Sequence, residues 1–158
     1  MDTIIFVQMK GFKIIDIIKV VFGNILLELH FNIERFEEKF SFALSVSDNG
    51  EAILFSQKME WTLPNDIKYE TYKVIPVDKK NDELTKLINN EIKDIQFGIG
   101  KTLDTFKSVI YYAKIITDKN NFLFFNNGDE GSYSFDKIDE ILANDIYGYE
   151  WTEKLPMI

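Results

Sequence analysis

The chain has 158 residues, 46% hydrophobic and 28% charged. That describes one globular domain with a full core and excludes wholesale disorder and low-complexity classes. It has no cysteine, one histidine (His30) and a net charge of −8. Disulfide frameworks, thiolate metal sites and thiol nucleophiles are therefore excluded.

In chain order, Met1 to Lys10 carries Asp2 ahead of a short apolar run and lacks the basic region and apolar stretch of a signal peptide. Ile14 to Leu29 is broken by Asp16, Lys19, Asn24 and Glu28, too polar for a membrane span. A soluble, cytoplasmic protein is expected. Ile14 to Phe22 and Ile25 to Phe31 read as strands joined at Gly23-Asn24, with Leu27, Leu29 and Phe31 alternating with Glu28, His30 and Asn32. Phe40 to Val46 and Ala52 to Gln57 flank Asp48-Asn49-Gly50 as a second hairpin. Lys68 to Val77 is a further strand, placed at an edge by Pro76. Asn81 is the expected cap of a helix from Asp82 to Ile88, which presents Leu84, Leu87 and Ile88 on one face. Strands follow near Ile92 to Ile99, Lys107 to Thr117 and Phe122 to Phe125. A helix capped by Ser134 or Asp136 then carries Ile138, Ile141 and Leu142.

Self-similarity organises these elements into two degenerate tandem repeats, about residues 12–64 and 91–156, linked by 65–90. Phe42 to Phe55 aligns with Tyr112 to Phe125 without a gap. Ile14-Ile15-Asp16-Ile17 answers Ile92-Lys93-Asp94-Ile95, and Glu60-Trp61-Thr62 answers Glu150-Trp151-Thr152. The expected fold is α+β: mainly antiparallel hairpins in two repeats sharing one core, with one or two packed helices.

The catalytic inventory is poor. His30 falls on the polar side of its strand, as a surface histidine. Gly98-Ile99-Gly100-Lys101-Thr102 has the end of a phosphate loop without the earlier glycine, since position 95 is Ile95, and reads as a turn. Asn126 to Ser132 lacks the spacing of a calcium loop and reads as a solvated turn. Glu37/Glu38 and Asp139/Glu140 are adjacent in sequence and point in different directions. No catalytic residue, no metal site and no cofactor is therefore expected. Of 18 basic residues all but Arg35 are lysine, and the acidic balance argues against nucleic acid and anionic membranes.

Charge placement is the most specific feature. From Gly128 to Glu153 eight acids face the single base Lys137, so this segment carries −7 and the rest of the chain −1. Tyr133, Phe135, Tyr147, Tyr149 and Trp151 are interleaved, and aromatic residues anchor interfaces. The candidate partner-binding residues are Asp129, Glu130, Tyr133, Asp136, Asp139, Glu140, Asp145, Tyr147, Tyr149 and Glu150. Trp151 is open to either role, core or interface.

In size, acidity, hairpin content and the segment Asp145-Ile146-Tyr147-Gly148-Tyr149-Glu150-Trp151, the chain resembles the small cysteine-free immunity proteins of bacterial polymorphic or contact-delivered toxin systems. The resemblance is one of type and carries over no family motif. It implies a non-enzymatic inhibitor that covers a basic toxin or effector domain, its acids standing in for phosphates. The alternative is a structural or self-associating domain without catalytic activity, discriminated by a homodimer.

Overall fold

The computed structural model describes residues 9–47, 51–58, 72–78, 80–102 and 104–153. Among the described residues ten strands make one antiparallel sheet that curls into a half-barrel. They are β1 (Lys13–Phe22), β2 (Ile25–Arg35), β3 (Glu38–Val46), β4 (Ile53–Lys58), β5 (Tyr72–Pro76), β6 (Ile92–Lys101), β7 (Ser108–Thr117), β8 (Asn121–Asn126), β9 (Gly131–Ser134) and β10 (Glu150–Thr152). The path runs β10-β6-β7-β4-β3-β2-β1-β5, with β8 and β9 continuing from β7. Two-residue steps put Leu29, Phe31 and Ile33 of β2 and Phe42 and Leu44 of β3 on the inner face, all essentially inaccessible to solvent. Phe31 stacks on Phe42 at 4.7 Å and meets Phe122 edge-on at 6.1 Å, joining the two halves in one core. Each buried ring contributes about 1.5–3 kcal/mol.

This architecture corrects the α+β expectation. Of the described residues 58% lie in strands and 9% in helices. Among the described residues the helices are a 3₁₀ turn, Glu83–Leu87, and α1, Ile138–Ala143. Neither reaches two full turns, too short to form a packed layer or to be stable without the sheet beneath. The 3₁₀ turn buries Leu84 and Leu87 as expected, but its cap is Asp82, whose carboxylate accepts from the Leu84 amide at 2.9 Å. Ile88 is already extended, at ψ 133°, and ends it. Ser134 does hold the entry to α1, its Oγ accepting from the Lys137 amide at 3.0 Å.

The strand registers relate the two halves through residues 78 apart at the start of each. The β1–β2 ladder is irregular at Ile14/Asp16 and Val20/Val21, and the β6–β7 ladder at Ile92/Asp94 and Gly98/Ile99. Lys13 and Glu91 form an isolated bridge. On one side of it Gly11 N donates to Ile92 O (2.9 Å), answered by Asn89 N to Ile14 O (2.7 Å). Ile92 N to Phe12 O (2.8 Å) is likewise answered by Ile14 N to Asn90 O (3.0 Å). The bridge thus lies on a local two-fold axis. Outer strands follow suit: Val74 of β5 pairs with Val20, and Trp151 of β10 with Gly98.

The register also shows that Phe42–Phe55 and Tyr112–Phe125 are one strand out of step. Here β3–β4 corresponds to β8–β9, so the Phe42/Phe55 stack (5.9 Å) is answered by Phe122/Tyr133 (5.6 Å). Successive hairpins share the same period-two pattern, which by itself does not say which hairpin answers which. By register Trp151 answers Val74; Trp61 lies outside the described residues.

Candidate functional site

The strands β6 and β7 are covered on the side away from the core by α1 and by the chain that leads from it into β10. A second apolar cluster forms there from Tyr111, Tyr112, Leu123 and Ile138, with Ile141, Leu142, Tyr147, Tyr149 and Trp151 packed on it. The glycines of β6 make this close packing possible. A side chain at Gly98 would press on Tyr112 and Tyr149, and one at Gly100 on the Gly148 carbonyl oxygen and Tyr111. The Gly98–Thr102 segment is therefore mostly strand rather than the expected turn, and its glycines answer to packing.

Asp145 anchors the returning loop. Its Oδ1 accepts from the Tyr112 hydroxyl at 2.6 Å and its Oδ2 from the Gly148 amide at 2.8 Å. Tyr147 stacks on Tyr111, centroids 4.5 Å apart and planes within 10°. Tyr149 meets Tyr112 and Trp151 edge-on. Burial, reinforced by the Asp145 carboxylate, pushes the Tyr112 hydroxyl far above the ordinary phenol range and raises Tyr111 and Tyr149.

Between this loop, β7 and the end of β8 lies an open cleft of about 300 Å³. Glu51, Tyr111, Tyr112, Asp145, Ile146 and Tyr147 line it together with asparagines 126, 127 and 144. Two of its lining residues carry carboxylates, and none is cationic.

The ten residues singled out from sequence divide into two groups. Asp129, Glu130, Asp136, Asp139, Glu140 and Glu150 are exposed. None of them joins an ion pair among the described residues. Tyr133, Asp145, Tyr147 and Tyr149 are half-buried. Tyr133 packs on the central core beside Phe122, and burial pushes its hydroxyl up to about 12. Trp151 belongs to the second cluster, with Lys114 Nζ 5.6 Å from its ring centre. The cleft brings together Asp145 and Tyr147 of the ten. The turn bearing Asp129 and Glu130 adjoins it, because Asp129 N donates to Asn126 Oδ1 at 2.8 Å. Glu140 stands one helical turn before Asn144.

Sequence reasoning missed Glu51, Tyr111, Tyr112 and Ile146. The Tyr111-Tyr112 pair and the 78%-exposed Ile146 were visible as apolar residues; Glu51 carried no signal. His30 is corrected as well: it is 4% exposed, with Nε2 2.8 Å from Glu28 Oε2.

Fold and cleft together define an antiparallel β protein of two register-related halves with an acidic, aromatic-walled cleft lined mostly by the second half and completed by Glu51 of the first. Compared with protein-family models, curated proteins and solved structures, the chain matches none. No helix among the described residues is long and apolar enough to cross a membrane.

Proposed function

We propose that this chain is a non-enzymatic, immunity-type inhibitor that acts in the cytoplasm by covering a basic toxin or effector domain with its C-terminal acidic face. One observation carries the reading: six exposed acids, from the β8–β9 turn through α1 to β10, have no cationic neighbour within 4 Å among the described residues. Exposed carboxylates without an internal partner are complementary to a cationic surface, which they also steer into encounter. Ile146 and the rim of Tyr147 beside them supply apolar area for an anchor.

The test is affinity capture from lysate of the native organism by wild type and by the triple variant Asp136→Lys, Glu140→Lys, Glu150→Lys, at low and high salt. Asp145 is left intact because it holds its own loop. The expected result is one basic protein, released by salt and lost with the variant, whose melting temperature stays near wild type. Equal capture by both chains, or recovery of the chain alone as a homodimer, would overturn the reading.

A further inference from the structure

We infer that the cleft between β7, α1 and the Asp145 loop is a socket for one basic side chain, an arginine or lysine, projecting from the partner. The inference rests on the inhibitor reading and names what that site recognises.

Three features select this occupant. Two carboxylates from distant parts of the chain, Glu51 after β3 and Asp145 after α1, line one cavity whose lining residues include no cation. Asp145 is held from two sides, by the Tyr112 hydroxyl and the Gly148 amide, so its charge is fixed in place before a ligand arrives. A preorganised acceptor of this kind binds a guanidinium or ammonium through charge-assisted hydrogen bonds. Tyr147, held by its ring stacked on the buried Tyr111 within 10° of parallel, gives an aromatic wall suited to the alkyl stem and to cation–π contact. At about 300 Å³ the cavity is at the small end of ligand sites, suited to a side chain. Its mouth adjoins the exposed Ile146 and the turn bearing Asp129 and Glu130, the surface on which a basic partner sits.

The uniformly labelled full chain is titrated with methylguanidinium chloride, with sodium chloride as control, and followed by amide chemical shifts. Shifts are expected at Glu51, Tyr111, Asn127 and Asp145 to Tyr147. Glu51→Gln, a substitution on an exposed residue, should weaken the binding about tenfold, the loss of one charge-assisted bond; Glu37→Gln, on an exposed residue of the β2–β3 turn, should leave it unchanged. Glu51→Gln should also weaken the affinity for the captured protein. Shifts spread over all surface acids, equal in wild type and Glu51→Gln, would overturn the socket even where the triple reversal abolishes capture, which leaves the acidic-face reading standing. Localised shifts with partner affinity unaffected by Glu51→Gln also overturn it, since the cleft then meets no side chain of the partner.

Discussion

The Tyr112 hydroxyl donates to the Asp145 carboxylate at 2.6 Å and so ties the strand β7 to the loop that closes the cleft. Removing the donor leaves a half-buried carboxylate short of one partner. Tyr112→Phe should therefore cost about 1–2 kcal/mol in urea unfolding. It should also reduce methylguanidinium binding, because Asp145 is no longer held. A loss below about 0.5 kcal/mol, in the range of an ordinary surface change, would show that the bond does not anchor the loop.

Tyr133 gives a pH dependence with a definite sign. Its hydroxyl titrates near 10.0 when unfolded and is pushed up to about 12 by burial in the fold. The folded state holds this proton longer, so the contribution to stability is complete below pH 10 and lost as pH rises through 12. Alkaline unfolding followed by circular dichroism should show this decline, and Tyr133→Phe should make it shallower. An identical slope in the variant would contradict the assignment.

Gly100→Ala tests the packing behind the cleft. The added methyl would overlap the Gly148 carbonyl oxygen and stand 2.8 Å from the Tyr111 ring. One of the obstacles is backbone, so the 145–149 loop must move away from β6. The expected cost is about 1–3 kcal/mol, seen as a lowered melting temperature. Unaltered stability would mean that the loop gives way freely.

Phe36 is 90% exposed and adopts φ +55° at the β2–β3 turn, a left-handed conformation that bulky side chains disfavour. Phe36→Gly removes the strain and forfeits almost no burial. It should raise stability by about 0.5–1 kcal/mol in denaturant unfolding. Phe36→Ala, which keeps a Cβ at the same φ, should gain much less. Equal effects from the two would separate the change from backbone strain.

Asp94 shares Lys10 with Glu153 and has one buried oxygen without a hydrogen-bond partner. Burial raises its pKa above the usual carboxylate value, so its ionised form is disfavoured in the fold. The protonated form's advantage is present below the unfolded pKa and lost as pH rises through the folded one. Asp94→Asn should accordingly raise the melting temperature at pH 7, and the gain should vanish in acid. A gain that persists in acid would point to a cause other than charge.

The local elements are legible in the sequence because their causes are local. Gly23-Asn24 makes a tight turn possible, and alternation along Leu27, Leu29 and Phe31 marks β2 as a strand, although His30 between them is buried as well. The acidic C-terminal segment is likewise a matter of composition, and seven of its eight acids are exposed. The helices misled because an apolar face two or three residues long fits one turn of 3₁₀ as well as the start of an α-helix; the end comes from the backbone at Ile88. β9 and β10 are too short to announce themselves, and each exists because a longer neighbour, β8 or β6, offers it an edge. What only the tertiary structure decided is which halves correspond and which carboxylates meet. The Ile53–Ile110 pairing brings β4 beside β7, and with it Glu51 to the cleft of Asp145. Period-two patterning specifies a face for every residue but not a neighbour for every strand. That choice falls to the burial of Phe31, Phe42 and Phe122 in one core, an interaction between residues distant in the chain.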